Sequence, residues 1–532
     1  MKQYTFILML CVCITSCAHQ PSPQYDLLIK NANIIDGSGG DAYMGDIAIN
    51  ADSIVEIGNL GETTATLIIN ARGRAVSPGF IDLHSHAERD VLKRPDAENN
   101  IRQGVTTILG GNCGGSPGDV EHFFTTLEKN GAALNVGLLI GHNTVRRQVM
   151  QRENRHATAQ EMQAMQSLVD TAMQDGAYGL SSGLLYIPGN FAPPAELQKL
   201  AAVAHQYGGF YASHMRSEGS GVLQAVQETI DVGAAVGVPI HISHHKTSGL
   251  SAWGLSVKTL EMIDIHRAAG MDITLDQYPY TASNTNLGVL FPQWSLAGGQ
   301  KAFIQRMQDP QIQQKIRDEV IRIMAEQRSG TELWRIQISS YSGDSSLEGK
   351  TFEQVLQQRE LELTMENAAQ LAIELQLNGG GRGIYHTMQQ EDVERIMRHP
   401  ATSVASDGRG VEWQKGSPHP RNYGTYPRVL AFYTREKGVL TLPEAVRKMT
   451  SLPASRMNLN DRGLLAKDYK ADIVIWDPAK VQDNSTYVDP HRYSTGIDFV
   501  IVNGIPVVIE GVMTGVRPGH ALKNKILHKK KI

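Results

Sequence analysis

Pro78-Gly-Phe-Ile-Asp-Leu-His-Ser-His86 is the stretch on which the fold turns. It reads as a short buried strand whose last turn offers His84 and His86. Residues two apart on a strand face the same way at about 7 Å, so both imidazoles can converge on one ion. Seven further β-rich runs follow, at 104–109, 134–140, 179–183, 210–214, 238–244, 272–276 and 402–407. Helical periodicity lies between them, as at 196–207 and 257–269. Eight β-α units predict an α/β fold of the (β/α)8 TIM-barrel type, with its chemistry where the strands end.

Outward from the barrel, spanning 79–457, short strands separated by turns occupy 25–78, and the same texture returns in 458–525. These ends are expected to build one small β-sandwich. The gap between strands seven and eight is too long for a simple crossover, and 287–400 is expected to be an inserted subdomain over the barrel mouth, able to act as a lid. Within it, 300–328 and 367–377 read as helical.

The chain has 532 residues, with 50 Lys and Arg against 54 Asp and Glu, so its net charge of -4 provides no field to recruit nucleic acid or an anionic membrane. A small molecule is the expected partner. Lys2, the apolar run 6–14 and Ile14-Thr-Ser-Cys17 read as a signal peptide over 1–17, too short to span a bilayer. Ile14-Thr-Ser-Cys17 resembles the lipobox of bacterial lipoproteins, which implies a lipidated Cys17, a tether over 18–24 and an extracytoplasmic protein whose only membrane contact is its anchor. Of four cysteines, Cys11 and Cys13 leave with the leader and Cys17 carries lipid, so Cys113 is left without a disulfide partner.

Cys113 follows strand two, His214 ends strand five, His244 strand six and Asp407 strand eight. Each alone is as well explained as a buried hydrophobe, a core histidine or a helix cap. Six ligand-type residues at five strand ends of one barrel are a metal constellation instead, and mixed S, N and O donors favour zinc. Alternation along 238–244 places His244 with Ile240 and Ile242, making His244 the ligand and His245 a supporting residue.

Pro78-Gly-Phe-Ile-Asp-Leu-His-Ser-His, Gly110-Gly-Asn-Cys-Gly, Gly141-His-Asn-Thr-Val-Arg, Ser213-His-Met-Arg, Ile242-Ser-His-His-Lys and Ser406-Asp-Gly together resemble the N-acyl-D-amino-acid deacylase (D-aminoacylase) branch of the amidohydrolase superfamily. Strand four has no lysine to bridge two metals, and Cys113 fits that branch's cysteine pattern. The resemblance implies a tight zinc on Cys113, His214 and His244, and a second, weaker site completed by His84, His86 and Asp407. It also implies an α-carboxylate clamp of Lys246, Tyr278 and Arg421, with Tyr186 lining the pocket. The expected reaction is hydrolysis of an N-acyl-D-amino acid by metal-activated water, Asp407 acting as general acid and base.

No Lys or Arg occurs from Asp276 through Gln300, while Leu287, Val289, Leu290, Phe291 and Trp294 do, so an apolar D-side chain is expected to be preferred to an acidic one. The alternatives are a dipeptidase acting on C-terminal D-residues, a cyclic-amide hydrolase, for which the bridging lysine is missing, and a non-catalytic binding lipoprotein.

Overall fold

The computed structural model describes residues 23–525. The expected leader, most of the tether and the Lys-rich tail lie outside the described residues. Phe80–Asp82, Val105–Gly110 and Asn135–Leu138 pair in parallel; past Leu139 the third strand continues as Ile140–Gly141. From there Gly179–Gly183, Phe210–His214, Ile240–Ile242, Ile273–Gln277 and Thr402–Val404 follow in parallel order. The ring closes where Asp407 N donates to His84 O at 2.8 Å and His86 N donates to Gly408 O at 2.7 Å. Closure thus sets Asp407 beside the two histidines. Nearly every strand residue is buried, as expected of parallel strands with helices outside and packed side chains within.

Both chain ends contribute to one nine-stranded sheet. Tyr25–Ile34 pairs with Ala65–Asn70 along its first half and with Ala75–Pro78 at its end, a register shift between Ile29 and Ala32 separating the two. A common core takes Ile29, Ile47 and Ile69 from the N-terminal part and Ile473, Ile475 and Ile501 from the C-terminal part. The apolar run at 499–508 spans two strands. It turns at Asn503-Gly504, both at positive φ (48° and 79°), into a hairpin of Ile497–Val502 and Ile505–Ile509.

The insertion differs from its expected bounds. Ser283–Asn286 already belongs to it, pairing with Arg382–Tyr385, which pairs in turn with Ile336–Ser340. Ser-Asn-Thr-Asn has no apolar alternation, which is why it reads as a loop. The helix Gln390–Arg398 packs on Ser256–Ala268 and the eighth strand, so it belongs to the barrel. The helical stretch at 300–328 breaks at Asp309-Pro310, where Asp309 caps Pro310–Ile323, because proline cannot donate within a continuing helix. The insertion has its own core, including Leu287, Phe291, Phe303, Val320, Ile338 and Leu371.

Asp472 joins terminal sheet to barrel. It pairs with buried Arg462, accepts Asn503 N at 2.8 Å and accepts Asn135 Nδ2 at 3.3 Å from the third barrel strand. Asp472→Ala leaves the Arg462 charge buried without its counter-ion and should cost about 3 kcal/mol. The double change with Arg462→Met should recover part of that loss. Thermal unfolding followed by circular dichroism reads both; an unchanged midpoint in the single variant contradicts the assignment.

Candidate active site

All six residues expected as ligands meet at the barrel mouth. Cys113 Sγ lies 3.2 Å from His84 Nε2, 3.4 Å from His244 Nε2 and 3.5 Å from His214 Nδ1. Asp407 Oδ1 lies 3.2 Å from His86 Nε2 and 3.8 Å from His84 Nε2. The donor atoms fall into two groups, His84, His86, Cys113, Asp407 and Cys113, His214, His244, each within 4.8 Å. The sulfur expected with His214 and His244 thus lies within reach of His84, His86 and Asp407 as well. Around a tetrahedral zinc with bonds of about 2.0–2.3 Å, ligand atoms sit roughly 3.3–3.8 Å apart, which the sulfur spacings of 3.4 Å to His244 and 3.5 Å to His214 match, the 3.2 Å to His84 being slightly shorter. His214 Nε2 and His86 Nδ1 are buried without hydrogen-bond partners among the described residues. Donor chemistry and spacing thus fit zinc.

Three of the six take a backbone conformation unusual for side-chain-bearing residues, with φ of 53° at Cys113, 34° at His244 and 48° at Asp407. Such strain collects where surrounding structure holds a functional side chain in place. It also corrects the reason for choosing His244: the strand ends at Ile242, and the left-handed residue, not alternation, turns the imidazole inward. His245 points away, its Nε2 2.9 Å from Thr259 Oγ1.

Beneath the ligands lie acids that the sequence reading missed as site residues. Asp276 Oδ2 is 3.2 Å from His84 Nδ1 and 2.6 Å from His241 Nε2, while its Oδ1 accepts His244 N at 2.7 Å. Glu218 Oε1 is 2.9 Å from His244 Nδ1 and 2.5 Å from Lys246 Nζ. A carboxylate on the far nitrogen of a ligating imidazole fixes its tautomer and raises its basicity, leaving Nε2 for the ion. Asp82 accepts Ser406 N at 2.9 Å and holds the closing strand.

Burial opposes ionisation of the Cys113 thiol, but His84, His244 and His214 outweigh it and hold the thiol well below its usual range. Burial likewise opposes the Asp407 charge, and Arg421, with the His86 hydrogen bond, keeps it well below the usual carboxylate range. Arg421 Nη1 stands 2.8 Å from Asp407 Oδ2, off the hydrogen-bond axis.

The other expected pocket residues converge here too. Arg421 Cζ and Lys246 Nζ lie 4.8 Å and 5.4 Å from the Tyr278 ring centre, and the Tyr278 hydroxyl is buried and unpartnered. Tyr186 stands 4.6 Å from the His214 ring and bonds Thr285 Oγ1 at 3.0 Å. Of the expected apolar lining, one residue reaches a cavity that shares Tyr186, Ile187 and Asn286 with the one at the ligands. Leu287, Leu290 and Phe291 fill the insertion's core, Trp294 packs against that core, and only Val289 of the five lines a neighbouring cavity of about 390 Å³. The cavity of about 220 Å³ against His86, Cys113 and Asp407 is walled instead by Asn284, Asn286 and Arg382 from the insertion, and by Arg89, Arg147 and Arg409.

With mixed N, S and O donors at the exits of a closed parallel barrel, the site is that of a metal-dependent hydrolase, and the chain belongs to the amidohydrolase family, whose model matches residues 67–285 and 353–508. Its place within the family is the D-aminoacylase branch. It is 34% identical to a D-aminoacylase of Alcaligenes xylosoxydans xylosoxydans over 94% of this chain and 98% of that protein. It is also 34% identical to an N-acyl-D-aspartate deacylase of the same organism, over 94% and 95%. Among solved structures, the N-acyl-D-glutamate deacylase of Bordetella bronchiseptica, complexed with zinc and a phosphonate mimic of the tetrahedral intermediate, superposes with a TM-score of 0.79. That protein is 32% identical, over 94% of this chain and 99% of its own.

If Asp276 orients both His84 and His244, Asp276→Asn should weaken zinc binding about 10- to 100-fold. Competition against a fluorescent chelator measures it; an affinity equal to wild type would remove Asp276 from the centre.

Proposed function

We propose that the protein is a zinc-dependent deacylase that hydrolyses N-acyl-D-amino acids to a carboxylate and a free D-amino acid. The observation that carries this reading is the Cys113 sulfur shared between two ligand groups, with the Asp407 carboxylate 3.2 Å from His86 in one of them. Zinc bound there supplies an activated water and a Lewis acid for the acyl carbonyl.

The chain's own residues supply the rest. Asp407 accepts the proton of the attacking water and passes it to the leaving nitrogen, so one proton is moved and none is left over. Arg421, Lys246 and the Tyr278 hydroxyl hold the α-carboxylate. Burial pushes the Tyr278 phenol well above its usual range, so it remains a donor, and Arg421 offers a planar fork that suits a carboxylate. By taking that fork the substrate loosens the Arg421 hold on Asp407, raising the basicity of Asp407 when substrate is in place. Tyr186 closes the wall above His214.

Lipid anchoring to a bacterial envelope through Cys17 is part of the same proposal and is supported by the Ile14-Thr-Ser-Cys17 pattern. Among the described residues no helix is long and apolar enough to cross a membrane.

Asp407→Asn should lower turnover of an N-acetyl-D-amino acid by at least about 100-fold while zinc at Cys113, His214 and His244 is retained. Elemental analysis and chiral detection of the released amine read the two outcomes together. An active variant removes Asp407 from proton transfer. Faster release from an L-Ala-D-residue dipeptide than from any N-acyl-D-amino acid makes the protein a dipeptidase instead.

A further inference from the structure

The wall opposite the ligands carries more positive charge than an α-carboxylate clamp requires. Arg382 and Arg409 line both the cavity at the ligands and an adjoining one of about 430 Å³ that also holds Arg421. Among the described residues neither has a carboxylate within ion-pair distance, and neither does Arg147. Arg382 is held by a neutral partner: Asn284 Oδ1 accepts its Nη2 at 2.8 Å and its Nε at 3.2 Å. The Asn284 carbonyl also accepts Arg421 Nη2 at 3.3 Å, so one residue spaces the two guanidiniums.

Burial pushes Arg382 down to about 9, the charges of Arg409 and Arg421 adding to it, with partial relief from Asp407. Asp90, Asp407 and Glu412 also line the adjoining cavity, but none forms an ion pair with Arg382 among the described residues, and a half-buried guanidinium held only by amide oxygens gains from an anion that neutralises it. Arg421 already faces Asp407 and is assigned to the α-carboxylate, so it does not account for Arg382.

We propose that the amide substrate carries a second carboxylate beside its α-carboxylate, and that Arg382, steadied by Asn284, is the residue that selects it. This rests on the deacylase reading and narrows its substrate class. The second carboxylate has two sources of one chemistry: an acidic D-side chain, or an acidic acyl group.

The test uses the zinc-loaded full chain and compares kcat/KM for N-acetyl-D-leucine, N-acetyl-D-glutamate and N-succinyl-D-leucine. At least one dianionic substrate should exceed N-acetyl-D-leucine tenfold or more, and which one does identifies the source. Arg382→Met should lower that ratio at least tenfold, mainly through KM, and Arg382→Lys should lower it less. Preference for N-acetyl-D-leucine over both dianions, or an unchanged ratio in Arg382→Met, overturns the proposal. Calorimetric binding of glutarate reads the site without turnover: wild type should bind it at least tenfold more tightly than Arg382→Met, and equal binding overturns the proposal. Loss of all three hydrolyses with that difference intact would overturn the deacylase reading and leave the anion site standing.

Discussion

A thiol whose sulfur stands within 3.5 Å of three imidazole nitrogens is the constraint around which this barrel is arranged. Neutral groups gain little from such crowding. A cation at the centre converts it into mutual attraction, which is why thiolate, imidazole and carboxylate can share a buried space. The rest of the mouth serves that arrangement. Ring closure between strands eight and one puts Asp407 against His84 and His86, left-handed residues aim Cys113, His244 and Asp407 inward, and Asp276 and Glu218 hold the imidazoles from behind.

The insertion gives the site its particular character. The barrel provides the six ligand-type residues, at or just past its strand ends, and the residues proposed to clamp the α-carboxylate, of which Arg421 opens a helix. Asn284 and Arg382, from two strands of a separate small sheet, complete the wall next to the reacting atoms. On the proposed reading, chemistry is carried by the barrel and selectivity by the insertion, so one can vary without disturbing the other.

Much of the barrel was legible in the sequence because parallel strands covered on both faces leave apolar runs, and because the ligands sit where those runs stop. Cys113, His214, His244 and Asp407 could be found because they recur together at the strand ends, none being distinctive singly. Asp276 was placed at a strand end, yet nothing in its surroundings distinguishes a carboxylate that orients two imidazoles from one that caps a helix. Glu218 lies in a loop with no spacing signal. Arg382 was out of reach for a different reason. It enters the pocket through antiparallel pairing with Ser283–Asn286, a polar stretch about a hundred residues earlier that reads as loop, and pairing over that separation leaves no local trace. The same stretch hid the start of the insertion, and the apolar residues beside it proved to be that subdomain's core.

X-ray absorption at the zinc edge of the purified protein tests the central claim most directly. A sulfur shell at about 2.3 Å beside nitrogen or oxygen at about 2.0–2.1 Å, lost in Cys113→Ser, is the predicted result. Zinc surrounded by nitrogen and oxygen alone in the wild-type protein would contradict the account.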